Sequence, residues 1–267
     1  MSKEKNPNKK KMSKKKKIIL IVVVIAAVLI IVQLAGTGIW YMNYMGYFAD
    51  GNKSEYSLDN AGTVEDSPLE GLTIGQLGSS VTYGLRSKGV SFADYIAERN
   101  NCTSVKEAVS GTKLVTGTDD NYVDRLMSMD TDTAFDLMMI QLSTNDAGDD
   151  PSPIGEISDS AELEDFDTTT VIGAIEAMIV YTQETWNCPV VFYTCPQNDK
   201  AGYEDMVNAL YEVQEKWGIE IIDLYSELDI NMDEYDLYMA DSIHPTQAGY
   251  LLWWTPVMEE HLYAMFE

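Results

Sequence analysis

Imidazole and thiol are scarce in this chain, with two histidines and three cysteines in 267 residues. Two histidines without clustered ligand spacing leave little to hold a catalytic zinc, so a metal-dependent hydrolase has little support and no metal or cofactor is expected. The cysteines, Cys102, Cys188 and Cys195, are odd in number. With Val190 to Thr194 read as a strand, Cys188 and Cys195 stand near its opposite ends, roughly 20 Å apart and too far for a disulfide. No disulfide framework is expected, although a bridge from Cys102 stays open. Cationic residues are also few: beyond residue 17 there are nine Lys and Arg against 42 Asp and Glu, a formal excess of 33 negative charges. Nucleic acid is thereby excluded as a partner, because its phosphates would be repelled. The acidic pairs Asp119-Asp120 and Asp149-Asp150 lack the spacing of an EF-hand loop and read as solvated surface. No internal repeat is evident.

What is present is unevenly distributed. Nine of the 18 Lys and Arg lie before Ile18, in a basic tail over residues 1–17. An unbroken apolar run then extends from Ile18 to Val32 and continues past Gln33 to Trp40-Tyr41. About 20 helical residues span a bilayer core, so residues 18–42 read as a transmembrane helix. The lysines Lys14 to Lys17 beside it hold the N-terminus in the cytoplasm by the positive-inside rule, which puts the remainder outside the cell membrane as a single-pass protein. The alternative is a cleaved signal peptide, which shares the basic start and the apolar run; against it, the run is long and no small-x-small site follows cleanly. Residues 43–67 carry glycine, serine, asparagine and scattered acids without a sustained period and read as an extracellular tether.

From residue 68 to residue 267 short apolar runs alternate with amphipathic stretches. The runs are Leu72 to Leu77, Ser104 to Val109, Leu137 to Leu142, Val190 to Thr194 and Glu220 to Leu224. Helices are expected around Phe92 to Arg99, Tyr122 to Met129, Thr169 to Trp186 and Tyr203 to Trp217, with a closing helix after Pro245. Apolar runs of four to six residues joined by helices indicate parallel strands covered on both faces, hence an α/β fold with a three-layer sandwich. In such sheets ligands bind beyond the carboxyl ends of the strands.

Those ends supply Gly78-Ser79-Ser80-Val81 after the first run, Ser110-Gly111 after the second, Ser143-Thr144-Asn145-Asp146 after the third, and Asp241-Ser242-Ile243-His244-Pro245 before the last helix. A serine hydroxyl needs a base to become a good nucleophile, and neutral imidazole is the usual one near pH 7. His244 has an acid, Asp241, three residues earlier, at a spacing that lets the carboxylate hold the ring. His261 lies in the final helix beside Glu259 and Glu260 and reads as structural. The backbone N–H groups of Ser80 and Gly111 and the side-chain amide of Asn145 offer three donors for the oxyanion of an acyl-transfer intermediate. Singly, each of these motifs is weak; their joint occurrence in this order, each at an expected strand end, is far more specific.

The four blocks together resemble those of the SGNH, or GDSL-like, hydrolases, over essentially all of the chain from about residue 72. The Asp-x-x-His-Pro block is the most specific, and Thr82 replaces the last glycine of the Gly-x-Ser-x-Gly elbow found in α/β-hydrolases. The resemblance implies a flavodoxin-like sandwich that hydrolyses esters. It implies Ser80 as nucleophile, Asp241 and His244 as its triad partners, and an oxyanion hole of Ser80, Gly111 and Asn145. Two positions depart from the family pattern: Ser79 stands where Asp is common, and Ser143 where Gly is common. The first is expected to weaken the hold on the nucleophile turn and the second to narrow the pocket beside Asn145. The expected substrate is a small acyl ester, such as an acetylated extracellular glycan. Lysophospholipid or other lipid esters, and a catalytically degenerate surface-binding module, are the alternatives.

Overall fold

A computed structural model of the chain describes residues 12–267; the first eleven residues of the basic tail lie outside the described residues. The chain divides into an N-terminal unit ending at Asn43 and a compact unit from Tyr44 to Glu267. The N-terminal unit is a helix, Lys14–Tyr44, whose last residue opens the second unit. None of its side chains is buried, and an 18-residue stretch of it has a mean hydropathy of 3.4. With 31 residues it exceeds the ~20 that a bilayer core requires, which makes it a candidate membrane span; a signal sequence passes the same test.

The compact unit is built on five parallel strands: β1 Thr73–Gly78, β2 Thr103–Ala108, β3 Leu137–Gln141, β4 Val190–Tyr193 and β5 Glu220–Ile222. Their order in the sheet is β2-β1-β3-β4-β5. Each falls within two residues of an apolar run seen in the sequence. β3 and β4 are buried at every position, as the middle of a doubly covered sheet demands, while β2, at one edge, has none of its residues fully buried. Helix Val171–Trp186 packs beside Tyr122–Ser128 and Tyr203–Trp217, whereas Phe92–Asn100 packs beside Thr255–Phe266. Two helical groups around one sheet make the expected three-layer sandwich. The closing segment does not form one regular helix: Gln247–Gly249 leads through a wide π-helical turn, Tyr250–Trp254, into Thr255–Phe266.

Helix starts follow local chemistry. Ser91 and Asp94 form a reciprocal capping box ahead of Phe92–Asn100, and the Thr170 hydroxyl accepts the Gly173 N–H at the start of Val171–Trp186. The strand order reverses at β1, so the crevice at the carboxyl ends of β1 and β3 is the place where such a sheet leaves room for a ligand.

One expectation is corrected. Residues 44–67 are not a tether but part of the compact unit, folded as three short 3-10 turns at Asp50–Asn52, Ser54–Tyr56 and Leu58–Asn60. Asn52 is buried; its amide donates to the carbonyls of Gly46 (2.7 Å) and Arg86 (2.6 Å), and its oxygen accepts the Gln247 N–H (2.7 Å). The Arg99 guanidinium donates to the Ala61 carbonyl at 2.8 Å, and Ala61 itself joins the core. The segment docks through polar groups and backbone and a few scattered apolar side chains, Met45, Leu58 and Ala61, so no apolar period announces it. An Asn52 truncation would take from the Arg86 carbonyl and the Gln247 N–H their Asn52 partner, at ~1–3 kcal/mol each where the group is left buried and unpaired.

The cysteines are free thiols, with Cys188 and Cys195 buried. Burial pushes Cys195 up to about 12 and Cys188 to about 11, which keeps both unreactive.

Candidate active site

At the end of β1, Gly78 lets the chain fold back on itself. A Cβ there would lie 1.7 Å from the Thr82 hydroxyl and 2.9 Å from Gln141 Oε1, so any other residue would push the following turn away. That turn starts a short helix, Ser80–Tyr83, and presents the Ser80 side chain to a cavity of about 280 Å³. Gly111, Asn145 and His244 line the same cavity, so four blocks distant in sequence meet at one place.

The His244 ring stands between two partners. Its Nδ1 lies 2.8 Å and 3.0 Å from the two oxygens of Asp241, and its Nε2 lies 2.9 Å from Ser80 Oγ. A carboxylate only accepts, so Nδ1 carries the proton and the Nε2 lone pair is left to accept the Ser80 hydroxyl. Burial works against the charge of Asp241. The hydrogen bond from His244, the positive charge its ring carries when protonated, and the N–H groups of Ile243 and His244 outweigh it and hold the carboxyl well below its ordinary range. Asp241 therefore stays ionised through mildly acidic conditions. Arg86, in the left-handed region at φ 69°, also donates to Asp241, Nε to Oδ2 at 3.3 Å.

Gly111 and Asn145 line the same cavity as Ser80. Gly111 adopts φ +85°, and a Cβ there would meet nothing within 4 Å, so glycine is required for its backbone angle and not for space. Among the described residues, the N–H groups of Ser80 and Gly111 donate to no protein acceptor. Asn145 spends one amide hydrogen on the Thr112 carbonyl (2.9 Å), and this fixes its plane while leaving the second hydrogen to offer.

Of the two departures from the family pattern, Ser143 has a consequence other than the one expected. Ser79 is held, since its N–H donates to Gln141 Oε1 at 2.9 Å and the Thr82 hydroxyl donates to the same oxygen at 2.9 Å. Ser143 does not line the cavity. It is buried, its hydroxyl donates to the Thr112 carbonyl (3.2 Å) and accepts the Asn145 N–H (3.1 Å), and so it joins the loop after β2 to the loop after β3. Arg125 adds a further tie, donating to the Gly78 carbonyl at the end of β1 (2.8 Å) and to the Glu107 carbonyl in β2 (2.9 Å). His261 lies elsewhere, on helix Thr255–Phe266, with Nε2 3.0 Å from Glu227 and Nδ1 3.4 Å from Glu220.

Sequence reasoning missed Gln141, Arg86 and Lys200, the last of which also lines the cavity. Gln141 alone left a trace, as a polar residue closing the otherwise apolar run of β3. Among the described residues no group of three or more His, Cys, Asp and Glu side chains is disposed to hold a metal ion.

Residues 77–252 match the model of the GDSL-like lipase/acylhydrolase family. A protein from Lactobacillus plantarum has the same fold at 22% identity and a TM-score of 0.58, covering 73% of this chain and 96% of its own. A lipase/acylhydrolase from Enterococcus faecalis is similar at 20% identity and a TM-score of 0.53, over 73% of this chain and 96% of its own. A carbohydrate acetylesterase from Sinorhizobium meliloti is similar at 14% identity and a TM-score of 0.54, over 73% and 99%. At these identities the likeness is one of fold. No curated protein sequence matches.

Proposed function

Because the chain belongs to the GDSL-like lipase/acylhydrolase family, we propose that it is a serine esterase that removes short acyl groups, acetyl above all, from extracellular glycans while held at the cell membrane by its N-terminal helix. The observation that carries the reading is the His244 ring bridging Ser80 Oγ at 2.9 Å and Asp241 at 2.8 Å. The cavity is small, about 280 Å³, with Leu85 and Ile243 as its aliphatic side chains, which favours a short acyl group over a long lipid tail. The fold shared with a carbohydrate acetylesterase agrees with a glycan carrier.

In this reading Ser80 Oγ attacks the ester carbonyl as its proton passes to His244 Nε2. Asp241 stabilises the imidazolium without taking the proton. The N–H groups of Ser80 and Gly111 and the free amide hydrogen of Asn145 receive the oxyanion. Collapse expels the alkoxide, which takes the proton from His244, and leaves an acyl group on Ser80. Water, deprotonated by the same ring, then attacks that acyl carbonyl and restores the hydroxyl.

The test is hydrolysis of p-nitrophenyl acetate by the full chain in detergent, beside Ser80→Ala. The full chain is the proper sample because residues 44–67 pack into the compact unit. Turnover is expected for the wild type and not for Ser80→Ala, and Asn145→Ala is expected to lose on the order of a hundredfold. A fluorophosphonate should label Ser80. Equal rates in wild type and Ser80→Ala, or a chain that resists the label, would favour a binding module that keeps the fold without the catalysis.

A further inference from the structure

The compact unit contains nine Lys and Arg among a large excess of acids, and nearly all are neutralised in place. Seven hold a carboxylate at 2.6–3.4 Å. Lys88 donates to the Asn52 carbonyl. Lys200 is left: among the described residues its ammonium has no carboxylate within ion-pair distance and no hydrogen-bond acceptor, although acids outnumber bases several-fold around it. This cation lines the cavity that contains Ser80 and His244.

The placement is built. Lys200 lies in the loop between β4 and helix Tyr203–Trp217, its N–H donating to Asn198 Oδ1 at 3.0 Å. The next residue, Ala201, accepts the Gly148 N–H at 2.9 Å, which pins this loop to the one after β3. The lysine stem runs past Gly148, where an added Cβ would come within 3.1 Å of Lys200 Cδ. Asp149 and Asp199 share an adjoining hollow with Lys200, yet neither pairs with it, and the Asp199 carboxylate accepts the Ser242 hydroxyl at 2.9 Å instead. Lys200 is half-buried, its ammonium carries three donors and no protein acceptor, and a negative group brought into the cavity would pair with it.

We propose that Lys200 receives an anionic group of the substrate, and that the ester cleaved at Ser80 is carried by an acidic sugar bearing a carboxylate near the acylated hydroxyl. This rests on the esterase reading and adds the charge of its substrate class. A chain with 33 excess negative charges beyond residue 17 repels acidic polymers in general, so one cation lining the cavity of Ser80 supplies selectivity where the acyl group is to be removed.

The experiment compares kcat/KM for an O-acetylated methyl uronoside with that for the equivalent O-acetylated methyl glucoside. The wild type is expected to favour the uronoside, and Lys200→Gln to reduce that preference about tenfold. Lys113→Gln, whose ammonium is held by Asp150 at 3.1 Å, is expected to keep the wild-type ratio. Fluorophosphonate labelling of Ser80 verifies that the Lys200 variant is folded. Ser80-dependent release of acetate from both sugars at equal kcat/KM, or a preference that Lys200→Gln leaves intact, overturns the anion site while the esterase reading stands. A charge preference found only between short-chain lysophosphatidylglycerol and its neutral monoacylglycerol counterpart overturns the sugar assignment. Absence of turnover with either sugar and with p-nitrophenyl acetate removes the esterase reading and this inference together.

Discussion

The two histidines of this chain are each hydrogen-bonded through both ring nitrogens, and the partners differ in one respect. His244 has a carboxylate on one side and a hydroxyl on the other, Asp241 at 2.8 Å and Ser80 at 2.9 Å. His261 has a carboxylate on each side, Glu227 at 3.0 Å and Glu220 at 3.4 Å. An imidazole between two carboxylates takes a second proton more readily, so its pKa is raised and its lone pair is the less available one. An imidazole between a carboxylate and a hydroxyl keeps one lone pair aimed at the hydroxyl, which is the arrangement a general base requires. In the proposed mechanism it is the asymmetry of the pairing, more than the presence of an acid beside the ring, that marks the base.

Exchanging the loss between the two sites should have the largest effect. His244→Ala is expected to lower kcat by about 10⁴-fold or more, whereas His261→Ala should leave it within about twofold, measured on p-nitrophenyl acetate. Similar losses in the two variants would break the comparison. The carboxylate partners sharpen it. Asp241→Asn is expected to cost on the order of 10³–10⁴-fold, because an amide donating to Nδ1 forces the wrong tautomer, while Glu227→Gln should leave turnover unchanged. Since Arg86 also touches Asp241, the Asn variant must be read beside its thermal stability to separate tautomer from loosened loop.

How far these sites could be read from the sequence depended on how each residue acts. That Ser80, Gly111 and Asn145 would meet at one cavity was legible because they follow β1, β2 and β3, whereas Asp241 and His244 follow no strand and were found by their mutual spacing. The cores of β3 and β4 were legible because strands buried on both faces are continuous apolar runs. Gln141 and Arg86 were not, since their roles come only from contacts across 62 and 155 residues of chain. Lys200 gives no local signal either; its meaning lies in the partners that the other cations have and it lacks. Residues 44–67 were misread for a related reason: Asn52 docks them by pairing with Gly46, Arg86 and Gln247, and a polar dock has no hydrophobic period.

The smallest expected effect falls at His261 and is seen in stability, not in rate. Partial burial opposes its protonation, but the hydrogen bonds and charges of Glu227 and Glu220 prevail and raise its pKa above the ordinary value of about 6.5. A raised folded-state pKa contributes stability that is fully present below the unfolded value and is lost as pH rises through the folded one. The wild type should therefore lose thermal stability between about pH 6 and pH 8 relative to His261→Gln, whose neutral side chain removes that dependence. The ring is 25% exposed and its partners more so, so screening limits the difference to ~0.2–1 kcal/mol, a few degrees in Tm at most. Parallel Tm profiles of the two proteins across that range would show that His261 gains no net proton affinity on folding. The contrast between the two imidazoles would then rest on catalysis alone.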